Sequence, residues 1–266
     1  MTPSEYAAYY LNRNVMLDNN QIFMVRIDRY LINSGTVRNR NGLAAKDVII
    51  GGMVSETKTN WAAPSYRIDG WMIDKLAVAC VFMGKGSPSE IADAVWLASR
   101  YGLIGIEPKR TNFSKVPTRT VTQFCSDCIG LDCNGYVNNY FSFGRDKSID
   151  TYDVNYPNSR RQSPEEVQTG DAVIFIEEND AAAKNAKAPA PAAGLYKHIA
   201  AVESAKAVGK DQMELTLVQS GGPDLGLHVS TETKPIFNYG KGVHFTSGSR
   251  KAYFVPPPPG AGEPKD

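Results

Sequence analysis

Apolar and polar positions change rhythm part-way along this chain. The first third has mostly helical spacing. Thr2, Pro3 and Glu5 form a capping pattern with proline at the first helical position, which predicts a helix at the start. In NQIFMVRIDRYLINSG, Ile22, Val25, Leu31 and Ile32 recur at roughly helical intervals and Gly35 offers a stop. The glycine- and asparagine-rich stretches NRNGLAAKD and GGMVSETKTN predict loop. GWMIDKLAVACVFMGKG predicts an apolar helix carrying Cys80. SPSEIADAVWLASRYGL predicts a capped one: Ser87 and Glu90 make the box, Pro88 opens the helix, Ile91, Ala94, Val95, Ala98 and Tyr101 make the stripe, and Gly102 closes it. Trp71 and Trp96 fall on these stripes and are expected in a core.

After about residue 115 the rhythm shortens. TGDAVIFIEE turns into a strand over 172–176, and YKHIAAVES, MELTLVQS and KAYFVP are three further strand candidates. Between the first two lies ENDAAAKNAKAPAPAAG, whose alanine, proline and lysine predict a solvated loop. PPPPGAGEPKD predicts an extended, disordered tail, with a proline-recognition ligand as the alternative. Helices followed by strands predict an α+β protein with an antiparallel sheet. The expected organisation is a helical N-terminal region over 1–115, a second domain over 116–255 and the tail over 256–266.

Composition narrows the function classes. The formal net charge of +1 gives no global field toward nucleic acid or an anionic membrane, and no basic run interleaves with aromatics. No apolar run is long enough for a spanning helix. MTPSEYAAYYLNRN lacks the basic and apolar regions of a signal peptide, so cytoplasmic synthesis is expected. Four cysteines are present, three of them in CSDCIGLDC. A chain this long does not need disulfide staples. Cys125 and Cys128 have the spacing of half a zinc site or of a regulatory disulfide, but no second such pair exists. The expectation is therefore no metal and no cofactor, with Cys125 and Cys128 as packing residues.

The stretch GLDCNGYV carries the chemistry. If a helix begins near Cys133, then Cys133, Tyr136, Val137, Tyr140 and Phe141 form one apolar face, and Asn138 and Asn139 fall off it. The sulfur then sits at the helix N-terminus, where the partial positive charge favours thiolate and the amides can meet an oxyanion. Gly135 is unfavourable inside a helix unless another backbone or a substrate approaches closely. A thiolate hydrolase also needs a base and a group to orient it. His198 lies in a strand pattern whose face carries Ala200 and Val202, while His228 and His244 lie in glycine-rich, turn-like contexts. On the next strand Leu215, Leu217 and Gln219 share a face, so Gln219 can accept the second ring N–H of His198.

GLDCNGYV resembles the D-C-S-G-F-V nucleophile motif of the NlpC/P60 cysteine peptidases, papain-like enzymes that cut peptidoglycan stem peptides. In order, GDAVIF resembles that family's G-D-L-V-F-F strand, HIAAV its H-V-G-I strand, and LVQSGG stands where the family has a polar third residue. The resemblance spans roughly residues 125–255. It implies a papain-like domain in which a nucleophile helix packs on an antiparallel sheet. It also implies Cys133 as nucleophile, His198 as base and Gln219 as orienter, with Asp132, Asn134 and Gly135 at the substrate and oxyanion side. Asn134 replaces the family's usual serine, and FCSDCIG has no counterpart to its P-Y-x-W-G-G segment.

The implied reaction is amide hydrolysis through a Cys133 thioester on a peptidoglycan-type peptide. A chain without a signal peptide would reach the wall by a non-classical route. Other readings stay open. Cys133 and His198 are also what an inert core thiol and a hydrogen-bonded core histidine look like, which would make the domain a binding module with a protein partner for the N-terminal region. Acyl transfer to an acceptor other than water is the third. Ser220, in QSGG, is not in a G-x-S-x-G elbow, which argues against a serine hydrolase.

Overall fold

A computed structural model describes every residue except 32–38, 106–117, 146, 157, 180–182, 184, 186–189, 222–224, 239, 265 and 266. The protein is mixed α+β, and its chain forms two compact units. The helical unit comprises residues 8–135 and 222–227, and the sheet unit residues 1–7, 136–221 and 228–265.

Helix α1 (Pro3–Leu11) starts as its capping pattern dictates: the Thr2 amide donates to Glu5 Oε2 at 2.7 Å, and the Glu5 amide to Thr2 Oγ1 at 3.3 Å. In the helical unit, the helix expected from Ile22 is instead an antiparallel hairpin of β1 (Arg13–Met16) and β2 (Ile22–Val25). Asn20 adopts a left-handed φ of 63° and Leu17 N donates to Gln21 O at 2.8 Å, so the Asp-Asn-Asn stretch closes a turn. Ile32 and Gly35 lie outside the described residues.

The stretches expected as loop form α2 (Arg40–Thr57). Asn39 caps it by accepting from Gly42 N at 3.0 Å. Gly52 is tolerated mid-helix because the Tyr101 ring rests on the backbone there; a Cβ would come within 2.5 Å of it. The segment expected as one apolar helix divides into strand and helix. β3 (Ser65–Ile68) and β4 (Trp71–Asp74) pair across a turn with positive φ at Asp69 and Gly70, and Asp74 then caps α3 (Lys75–Val81), which carries Cys80. Trp71 is therefore a hairpin residue, 72% exposed, rather than core. Helix α4 (Pro88–Arg100) has the expected capping box, with Trp96 only half-buried. Arg100, at its end, is buried among Asp18, Glu56 and Asp69 at 2.7, 2.5 and 2.6 Å. Helix α5 (Val121–Cys128) follows, and α6 (Cys133–Tyr140) carries the chain from one unit to the other.

The sheet unit is built on β5 (Ala172–Glu177), β6 (Tyr196–Gly209), β7 (Gln212–Ser220), β8 (Leu227–Pro235), β9 (Phe237–Asn238), β10 (Val243–Ser247) and β11 (Arg250–Val255). Their order is β8-β7-β6-β5-β11-β10-β9. The two outermost strands, β8 and β9, are separated along the chain by Ile236 alone, so the sheet must curl until its edges approach. His228 and His244, expected in turns, lie instead on β8 and β10. About half of the alanine-rich loop, residues 180–182, 184 and 186–189, falls outside the described residues. The described part of the tail is not extended into solvent: Gly262 N donates to Phe141 O at 2.7 Å, Ser142 Oγ to Glu263 O at 2.6 Å, and Pro258 is buried.

Alternation gives the sheet two distinct faces. Val173, Phe175, Ala200, Val202, Leu215, Leu217, Phe245, Ala252 and Phe254 share one apolar cluster on the first. Ile174, Ile176, Tyr196 and Tyr253 line the second, through the pairs Ile176↔Tyr196 and Ile174↔Tyr253. On that second face Tyr196 Oη donates to Asp153 at 2.9 Å and Arg160 stacks over Tyr253 at 3.7 Å. Tyr152, beside Asp153, donates to Asn138 of α6 at 2.9 Å, so the last turn of α6 lies over the second face. Asn138, expected off the buried side of the helix, is buried by this bond and by its donation to Lys147 O at 2.8 Å.

Candidate active site

Helix α6 begins at Cys133, and Cys133, Tyr136, Val137, Tyr140 and Phe141 are all buried, Cys133 at 7% exposure. The residue before it forms the cap: Asp132 Oδ1 accepts the Gly135 amide, three positions on, as an N-cap carboxylate does. Asp132 N donates to Gly84 O at 2.9 Å, which ties the start of the helix to the turn after α3. Gly135 is required by that approach, since a Cβ there would lie 2.8 Å from Lys85 Cα and closer still to Gly84 O. The close backbone that its sequence position demanded is the 84–85 turn. The Gly135 amide is thereby committed to Asp132. Burial pushes the Asp132 carboxyl up to about 6, against the opposing pull of the Gly135 amide and Lys85. Asn134 is half-buried beside it.

All four cysteines are buried thiols. Cys125 and Cys128 sit in α5; burial, then the neighbouring Cys128, pushes Cys125 up to about 12, and burial pushes Cys128 up to about 11. Such thiols stay protonated at neutral pH and are poor nucleophiles. Among the described residues no group of three or more His, Cys, Asp or Glu side chains could hold a metal ion.

The sheet unit brings His198 and Gln219 together. Both project from the first face, where His198 pairs across strands with Phe175. His198 Nε2 lies 2.7 Å from Gln219 Oε1. An amide oxygen can only accept, so the ring carries its proton on Nε2 and presents a lone pair on Nδ1. The Gln219 amide nitrogen is oriented in turn, donating to Ser230 Oγ at 3.2 Å and reaching His228 Nε2 at 3.4 Å. Gly221 passes over the imidazole: a Cβ there would lie 3.1 Å from His198 Cε1. Burial lowers the basicity of His198; Gln219 opposes this, and the charges of Arg250 and His228 add to it. His198 is therefore neutral at pH 7.

The sequence reading did not single out His228, Ser230, Gly221 or Arg250. The β-branched alternation of Val229, Thr231 and Thr233 is a strand signal that would have put His228 and Ser230 on one face. Cys133 belongs to the helical unit and His198 and Gln219 to the sheet unit. Among the described residues no helix is long and apolar enough to cross a membrane. No family model, curated protein or solved structure matches the chain.

Proposed function

We propose that this protein is a papain-like cysteine hydrolase of the NlpC/P60 type, cleaving an amide bond through a Cys133 thioester. The observation that carries the reading is the 2.7 Å bond from His198 Nε2 to Gln219 Oε1. It holds one tautomer and leaves Nδ1 as a proton acceptor, which is what activation of a thiol requires. The chain separately sets a cysteine at the first position of a capped helix. In the proposed cycle Nδ1 takes the Cys133 proton and the sulfur attacks the amide carbonyl. The oxyanion forms at the positive end of α6. The imidazolium returns its proton to the leaving amine, and water then releases the acyl group with His198 again as base. A peptidoglycan stem peptide is the substrate that the motif resemblance favours.

A non-catalytic binding module is the second reading, and one observation favours it: the last turn of α6 lies over the face opposite to the one from which His198 projects. Iodoacetamide labelling separates the two. A hydrolase labels at Cys133 much faster than at Cys80, and His198→Ala abolishes the difference. Equal slow labelling of all the thiols, unchanged by His198→Ala, favours the binding module. Mass analysis of digested wall fragments then distinguishes hydrolysis from acyl transfer.

A further inference from the structure

A cavity of about 140 Å3 lies on the His198 face of the sheet, entirely within the sheet unit. At about 30 Å3 per water molecule it holds roughly five waters, or one small residue. Phe175, Leu217 and Phe245 give it an apolar wall, and His198 and Gln219 line the same space. Ser230 and Ser247 add hydroxyls.

The charges in this cavity do not balance. Lys234 is engaged by Glu232. Arg250 stands at the start of β11, just past the turn in which Gly248 has a φ of +61°. Its cross-strand neighbour Glu177 is bonded instead to Lys197 at 3.3 Å. Among the described residues no hydrogen bond or ion pair engages the Arg250 guanidinium, yet Arg250 is a half-buried residue of the cavity wall. A planar guanidinium with its donors unused, beside an apolar wall, matches one common ligand group: a carboxylate on a small, partly apolar residue.

We infer that this cavity is a carboxylate subsite, with Arg250 as its anchor. As a substrate subsite it rests on the hydrolase reading, and it narrows the substrate class. The amide cleaved would carry a carboxylate within about one residue of the scissile carbonyl, as at the C-terminal end of a peptide. Arg250 is then a specificity residue: it binds the substrate end and takes no part in bond making.

The test uses binding rather than turnover. The full chain carrying Cys133→Ala is titrated with N-acetylglycine and with N-acetylglycinamide while the His198 ring resonances are followed by NMR. The acid should bind at least about tenfold more tightly than the amide, the margin of a charge-assisted pair. Arg250→Gln should erase that preference, and Arg250→Lys should keep part of it. Equal binding of acid and amide, no binding of either, or a preference that survives Arg250→Gln overturns the inference. Thiol labelling plays no part in this measurement. A carboxylate preference without His198-dependent labelling of Cys133 would therefore retain the anion subsite and reject the hydrolase reading, and the reverse pattern would do the opposite.

Discussion

The two faces of the seven-stranded sheet each hold a polar cluster, and the clusters are built on opposite principles. On the second face the groups are ionic and paired with one another, although Arg160 Nη1 is buried without a hydrogen-bond partner among the described residues. Arg160 and Asp153, both fully buried, share contacts at 2.7, 3.2 and 3.2 Å. Ser159 and Tyr196 add bonds to Asp153 at 2.8 and 2.9 Å, and Lys241 and Tyr253 both engage Glu178. On the first face His198, Gln219 and Ser230 are uncharged and half-buried, and they border a cavity. A buried charge stripped of its counter-ion is strongly destabilising, so the Arg160–Asp153 pair must form for the fold to be stable. A neutral cluster at a cavity can leave one ring nitrogen uncommitted without a comparable penalty, and such a nitrogen is what chemistry needs. The difference separates a framework from a site on a single sheet.

The largest effects should come from testing that separation directly. Arg160→Ala leaves Asp153 buried and uncompensated, and should destabilise the protein by about 3–5 kcal/mol in denaturant unfolding. His198→Ala should cost only about 1 kcal/mol of stability. On the proposed hydrolase reading it should nevertheless slow turnover by roughly a hundredfold or more, the usual worth of a general base. If both substitutions cost the same stability, the comparison fails.

Gly221→Ala sharpens it further. The added methyl presses on His198 Cε1, while no positive φ at that position forbids alanine. The protein should fold as before and lose roughly tenfold in rate through a displaced ring.

Two pH effects are smaller. Because His198 is held below its ordinary 6.5, its neutral form contributes stability and base strength above that value, and both are lost as pH falls through the lowered pKa. The acid limb of Cys133 labelling should therefore lie below pH 6.5 and move upward in Arg250→Gln, which removes a charge that lowers it. An acid limb unmoved by that substitution would remove Arg250 from the electrostatics of the base. Asp132 behaves in the opposite sense. Its carboxyl is raised to about 6 from 3.8, so the stability it contributes is full below pH 3.8 and is lost as pH rises through about 6. Asp132→Asn keeps an oxygen for the Gly135 amide. It should melt a few degrees higher than the parent at pH 7–8, a gain on the order of 2 kcal/mol, and the gain should vanish near pH 4.

Local rules account for what the sequence determined by itself. Capping boxes at Thr2 and Ser87 started α1 and α4 where they were expected, because a cap is satisfied within four residues. The strands β5, β6, β7 and β11, the start of α6 at Cys133 and the shared face of His198 and Gln219 follow from apolar periodicity and strand parity alone. The close approach at Gly135 was likewise readable, although its partner, the 84–85 turn, was not.

Only the tertiary structure decided the rest. Ile22, Phe23 and Met24 pair with β1 instead of continuing a helix, while Gly52 is accommodated mid-helix in α2 because Tyr101, at the end of α4, packs on it. His228 joins the Gln219 cluster only because β8 pairs with β7, and Arg250 reaches the His198 cavity only because β11 pairs with β5 and the sheet curls. The proline-rich tail is held by bonds to residues more than a hundred positions away. Periodicity reports which side of an element is apolar. What that side meets is set by contacts distant in sequence, whose closure entropy and partners no local window contains.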